Sequence, residues 1–467
     1  MRKGLLFFAA LLLLLLIGLT WLLTTSSGLR TAVSVAERFV SGLVIEQAEG
    51  QLTGPLVIKN LQYNADSETS VSIDDMQLNW APSALLTARL KIVKLHINGV
   101  TIASQAEQEA SDSETTLPEI NLPVAIELSD FQLDDVQLLD KEGQSSNVIE
   151  SLQAALVLQH DQVSIKTIQL DRPDVSASLS GNITMHGAYP VVLDYELSLK
   201  QLFTEPFKLN GKVSGDMDKL QIRQRTEEPL ASTQQLNVQD VLKELRWSLT
   251  AEADKLDLAA IVPEQATRFD GIQLSASGDL NSLSAQLKTQ VQQPELPLLA
   301  VATDVESLDL KNWHIAAKAT HQQSAVSMVG EVSMENAEPQ FNVQASWQNL
   351  GWPLEVENPE FVSPDGKLSL MGTLNAYKAT LSTALTWAQQ PLQLDASTHG
   401  STTALTIEAL TLNGFGGAME ANGELDWQTQ PLQYLVNANW QDIALPPSLA
   451  GKAVAFQQGE IQLDGNL

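Results

Sequence analysis

The sequence predicts an all-β protein: an elongated, repetitive antiparallel β-sheet that its own twist winds into a groove or superhelical ribbon, preceded by one N-terminal transmembrane helix. Three observations carry this. Apolar and polar residues alternate with period two over most of the chain after residue 43, the pattern of half-buried strands. Whole phrases recur at an offset of 93 residues. Residues 5–23, LLFFAALLLLLLIGLTWLL, carry no charge.

About twenty apolar residues is the length a helix needs to cross a bilayer. A cleaved signal has a shorter apolar core and an A-x-A-like exit, whereas this stretch runs through Trp21 into TTSSG, so an uncleaved anchor is expected. Arg2 and Lys3 hold the N-terminus in the cytoplasm and place the rest of the chain across the membrane. Next, GLRTAVSVAERFVSG (28–42) sets Leu29, Ala32, Val33, Ala36, Phe39 and Val40 at helical spacing. It is a short amphipathic helix, either a simple connector or a cap on the apolar layer that follows.

Beyond it helical periodicity is nearly gone. VSIDDMQLNW reads Val71/Ile73 and then Met76/Leu78/Trp80, a phase shift that one extra residue in a strand produces. EQEASDSETTLPE (107–119) is acidic, small and polar, a loop between two β segments. VLKELRW (241–247) is the one other candidate for a short helix.

The repeat organises the second half. ASWQNLGWPL at 345 returns as ANWQDIALPP at 438, GKLSLMGTL at 366 as GEIQLDGNL at 459, and GEVSM at 330 as GELDW at 423, each after 93 residues. A fainter copy lies 94 residues upstream, in AEADKLDLAA at 251 and GDLNSL at 278. At about 8 residues per strand, seven or eight strands fit one unit, and roughly 35 follow residue 43. At about 4.8 Å per strand such a meander extends about 170 Å before twist. The glycine-rich LTLNGFGGAMEANGELDW (410–427) belongs to this module. A phosphate-binding loop needs a helix after its glycines; here Met419, Ala421, Gly423, Leu425 and Trp427 alternate, so GFGG turns one strand into the next.

Composition excludes several functions. With 27 basic and 56 acidic residues the net charge is −29, so no nucleic acid is expected as a partner. Cysteine is absent, and the six histidines (His96, His160, His186, His314, His321, His399) are scattered without metal-ligand spacing. No cofactor and no metal is expected. No GxSxG or HExxH occurs, and Asp74-Asp75 and Asp134-Asp135 are neighbours whose side chains diverge on a strand. The chain is not expected to be an enzyme.

A one-sided sheet must bury its apolar face on something. Leu381, Leu385 and Trp387 share a face opposite Lys378, Thr380 and Ser382, and helices to cover it are missing from the sequence. Two arrangements remain: a second sheet folds over and makes a sandwich, or the sheet curls into a groove whose lining meets lipid chains. The candidate lining residues are Val326, Met328, Val332, Phe341, Val343, Leu368, Leu370, Leu381, Leu385, Leu405, Ile407, Leu410, Leu412, Met419 and Leu425.

TTSSGL (24–29), AERFV (36–40), GLVIEQAEGQL (42–52), LVIKNLQY (56–63), the W-x-P-x-x-LL element (Trp80, Pro82, Leu85, Leu86) and NGVTI (98–102) together resemble the N-terminal portion of TamB proteins, AsmA-like relatives of chorein-type bridge proteins. The strand–FGG–strand element resembles AsmA-like sequences as well. The resemblance implies a taco-like β groove in the periplasm, anchored in the inner membrane, that moves phospholipids between inner and outer membranes. An alternative role it implies is a translocation and assembly scaffold that inserts outer-membrane proteins with TamA. The family's C-terminal, TamA-engaging region has no counterpart here, so the chain is expected to be a fragment of a longer protein. The expected organisation is 1–27 cytoplasmic tip and anchor, 28–42 amphipathic helix, 43–106 N-terminal AsmA/chorein-like β segment, 107–119 acidic loop, and 120–467 repetitive β groove, its repeat clearest in 330–467.

Overall fold

The computed structural model describes residues 17–64, 69–104, 120–139, 145–201, 206–227, 230–262, 264–294, 296–354, 359–428, 432–447 and 452–466. The fold is all-β, and within each unit the described pairings join strands that are neighbours in the chain. The chain divides into two compact units, Met1–Glu228 with Gln239–Leu242, and Pro229–Val238 with Lys243–Leu467.

The first unit starts with a helix, Ser26–Phe39. Thr25 caps it, its hydroxyl accepting from the Gly28 N–H at 3.0 Å. A side chain at Gly28 would collide with the carbonyls of Trp21 and Leu22, so only glycine fits where the chain turns out of the helical residues 17–24. Most of the expected anchor, up to residue 16, lies outside the described residues. Among those described, no helix is long and apolar enough to cross a membrane. The helix lays Leu29 (1% exposed) on Leu56 and Ile58, with Val33, Ile45, Met76 and Leu78 around them. The Thr53 N–H and hydroxyl both donate to the Leu23 carbonyl, at 3.0 and 2.8 Å, and tie the first hairpin to the helical residues before it.

The phase shift read in VSIDDMQLNW is a seam that crosses six strands. Ile73 pairs with Val100, and Asp75 with Asn98, leaving Asp74 and Gly99 as extra residues. The same step leaves Glu46, Asn60, Asp135 and Glu150 in line with them. Asn60, Gly99 and Asp135 take positive φ to make room. Val136 and Leu133, three residues apart, therefore stay on one side, as do Ile73 and Met76. Without the seam, one end of every strand would turn its apolar set outward.

Two expectations need correction. The sheet is not antiparallel throughout: Arg89–Ser104 and Leu122–Leu139 pair in parallel, with Leu95 beside Phe131. A parallel pair needs a connection of a dozen or more residues, and the acidic 107–119 supplies that length, though it falls outside the described residues. VLKELRW makes a turn and then a strand beginning at Arg246, and short 3-10 turns form instead at Pro82–Thr87 and Leu258–Ala260.

In the second unit the strands from Arg246–Asp257 through Val454–Asn466 pair antiparallel, each with the next. Arg246–Asp257, Gln340–Trp352 and Gln433–Leu445 occupy equivalent places, six strands apart, rather than the seven or eight expected. The described strands number 26 instead of about 35, because they commonly run 10 to 13 residues. The repeat has a physical content. Trp247, Phe341 and Tyr434 each face a glycine across the ladder: Gly278, Gly372 and Gly465. Trp347 and Trp440 likewise lie over Gly366 and Gly459, where any side chain would strike the indole.

Gly414 pairs with Gly417 around a two-residue turn, Phe415–Gly416, both with positive φ. This hairpin turn suits the right-handed twist of its strands. Phe415 tucks edge-on against Trp387 at 6.0 Å, and Trp387 packs on Phe361 at 5.2 Å.

An apolar sheet face without a protein cover

The fifteen candidate positions fall on one face of the second unit. One transverse row runs Met328, Ala345, Leu368, Leu381, Ala396, Leu410, Ala421, Ala438 and Ile461. Parallel rows join Val343 to Leu370 and Ile407 to Gly423. Val332 faces Phe341, Leu385 faces Leu392, Leu412 faces Met419, Leu405 faces Leu425, and Val326 faces Trp347. Ile407 and Leu410 differ in parity yet share the face, because the pairing slips between them. Lys367, Lys378, Asp395, Glu420 and Glu424 occupy the opposite side.

None of the fifteen is buried, and Leu368 is 38% exposed. Among the described residues of the second unit the buried hydrophobic side chains are Ala253, Leu392 and Phe415. The inner face of a sandwich would be buried along its whole width. The closed sandwich that the alternation alone permits is therefore not formed in this unit.

The hydroxyls at the bulges of the face are satisfied internally, whereas the buried Trp313 indole N–H, on the same face, has no hydrogen-bond partner among the described residues. The Thr383 hydroxyl donates to the Asp365 carbonyl at 3.0 Å and lies 2.8 Å from the Ser363 hydroxyl, which accepts from the Trp347 indole N–H at 2.7 Å. Thr289 does the same to the Asp270 carbonyl at 3.0 Å. Both hydroxyls fill slips in strand register. They plug the loose carbonyls of bulges, and the face stays chemically apolar.

The first unit has a matching face, with Leu78, Leu95, Phe131, Ala154, Ile168, Leu179 and Tyr195 in one row. Burial pushes the Tyr195 phenol above its usual range, and its hydroxyl bonds Gln224 at 2.7 Å. Beside this sheet the Lys91 ammonium, bonded to Glu127 at 2.8 Å, holds that carboxyl below the usual range. No group of three or more metal-ligating side chains occurs among the described residues.

Sequence reasoning missed Trp347, Tyr377, Leu394, Val436 and Trp440, which share the face of the second unit. Their alternation is legible, but the glycine that seats each aromatic ring lies on another strand, and only the pairing joins them.

A repetitive one-faced sheet whose apolar side is not buried among the described residues defines a class of elongated β proteins that present an apolar surface. The family described as TamB, N-terminal domain, matches residues 15–141, 115–317 and 307–467, and the chain belongs to the TamB family. No solved structure matches it.

Proposed function

We propose that this protein carries phospholipids between the inner and outer membranes along its apolar sheet face, curled as a taco-like groove. Residues 5–23 anchor it in the inner membrane, with the N-terminus cytoplasmic and the bulk periplasmic. The observation that carries the reading is the register of fifteen apolar positions on one face, none of them buried. Family membership supports it.

The mechanism needs no catalytic residue and no cofactor. Leaving a bilayer through water costs about 0.8 kcal/mol per exposed CH₂, prohibitive for two acyl chains. Chains lying along rows such as Leu368–Leu381–Leu410 exchange one apolar neighbour for the next, while head groups remain at the wet mouth. A single charge in the row interrupts this path: Leu370→Glu or Leu385→Glu is expected to leave the circular dichroism unchanged and to reduce lipid transfer at least tenfold. A folded variant with normal transfer would count against the groove.

The other role the family suggests is a scaffold for outer-membrane protein insertion with TamA. Photo-crosslinking residues at Met328, Leu381 and Leu412 separate the two. Lipid adducts support the conduit, and polypeptide adducts the scaffold.

A further inference from the structure

Every second connection of the second unit lies on the same rim of its sheet. The pairings Gly278–Leu283, Ser307–Trp313, Ser333–Gln340, Thr373–Ala376 and Asp426–Gln433 place five such connections along one rim. Each carries a large apolar side chain turned to solvent: Leu280, Leu308, Met334, Leu374 and Trp427, between 41% and 88% exposed. The sixth connection, 401–403, has no apolar tip of its own, but the Trp427 indole donates to the Thr402 carbonyl at 2.8 Å and lies over it.

The opposite rim differs. Its two-residue turns are Gln322–Gln323, Ala388–Gln389 and Phe415–Gly416, and Phe415 is folded inward. Exposed apolar residues at that rim, Ile261, Val262, Leu298, Trp352 and Phe456, lie in longer connections or on strand ends rather than at the tips of short turns.

Leu280, Leu308, Met334 and Leu374 contribute little burial at this exposure, whereas Trp427 also ties down the 401–403 connection. Yet the duplicated module keeps four of them as two pairs: Leu374 follows Leu280 by 94 residues, and Trp427 follows Met334 by 93. The turns are stiff. Asp279 accepts from the N–H groups of Asn281 and Ser282 at 2.7 and 2.8 Å, and Asp309 from those of Lys311 and Asn312 at 2.9 and 2.7 Å. Glu335, Glu338 and Asp426 add negative charge between the tips, against one cation, Lys311.

From Leu280 to Leu374 successive tips are two strands apart, about 9.6 Å, and Trp427 follows four strands after Leu374. Seven residues of α-helix advance about 10.5 Å. An extended strand turns every other side chain away and cannot follow the rim.

We infer that this rim is a docking strip for a basic amphipathic helix of a partner protein, whose heptad-spaced apolar residues meet the tips while its Lys and Arg side chains meet the acidic turns. An anionic membrane surface is disfavoured by the same charges. The inference is independent of what the apolar face carries.

The test uses the full chain in detergent and a labelled synthetic 35-residue helix with leucine at every seventh position and lysine flanking it. Fluorescence anisotropy is compared with a peptide of identical composition in scrambled order. Binding at least tenfold tighter for the heptad peptide is expected, with a further tenfold loss when Leu280, Leu308, Met334, Leu374 and Trp427 are changed to Ser in a variant of unchanged circular dichroism. Equal binding of both peptides overturns the inference, as does full binding by the serine variant. Tighter binding of a proline-rich peptide with leucine at every third position, or flotation of the wild type alone with anionic vesicles, overturns the helix in favour of another occupant.

Discussion

Two apolar patches of the same chain are treated in opposite ways. In the first unit, Leu56 and Ile58 lie under the helix Ser26–Phe39, which seats Leu29 on them, and all three are buried. In the second unit, Leu368, Leu370 and Leu381 share a face of the same chemistry and stay half-buried or exposed. The strands do not differ in kind, since both alternate with period two. The difference is a cover made of protein. Where one is present, a sheet face becomes a core; where it is missing, the face remains a surface for something else.

Mutations can break or sharpen this contrast. The largest effect is expected at the covered patch. Leu29→Ala removes a fully packed side chain and should cost about 2–5 kcal/mol in denaturant unfolding of the first unit. Leu370→Ala on the bare face should cost less, about 1–2 kcal/mol, because its side chain is incompletely removed from water. Equal losses at the two sites would erase the distinction.

Next comes Gly366→Ala. The new methyl strikes the Trp347 ring, and overpacking of this kind costs about 1–3 kcal/mol. Shifted tryptophan fluorescence should accompany it. Thr383→Val keeps the shape but takes the hydroxyl from the Asp365 carbonyl and from Ser363. About 1 kcal/mol or somewhat more is expected for the stranded polar groups, read from the denaturation midpoint.

The smallest effect is electrostatic and confined to the rim. The Asn312 N–H, the Asn312 side-chain amide and the Lys311 N–H hold Asp309 down at about 2. A depressed carboxyl supports its turn above the ordinary carboxylate range and loses that support as pH falls through its folded value. Between about pH 4 and pH 2, amide exchange at Lys311 and Asn312 should therefore rise relative to intrinsic rates, and Asp309→Ala should show the same loosening at neutral pH.

Much of this was legible in the chain itself. The alternation of Val343, Leu370 and Leu381 named the strands and their apolar side, because the two faces of a strand are separated by one residue. The 93-residue echo of ASWQNLGW in ANWQDIAL announced a repeated module. The Ile73-to-Met76 phase break announced an interposed residue. What one strand does to another was not legible. The alignment of Asp74 with Asn60, Gly99 and Asp135, the seating of Trp347 over Gly366, and the parallel pair after Ser104 all join residues far apart in sequence.

The sequence by itself determined the all-β character, the repeat, the acidic polar side and the residues available to an apolar face, since each follows from short-range periodicity and composition. Only the tertiary structure decided that the described residues of the second unit's face stay unburied and that one rim carries the apolar tips. Alternation states which residues avoid water, but what takes the water's place depends on which strands and helices come to lie against them.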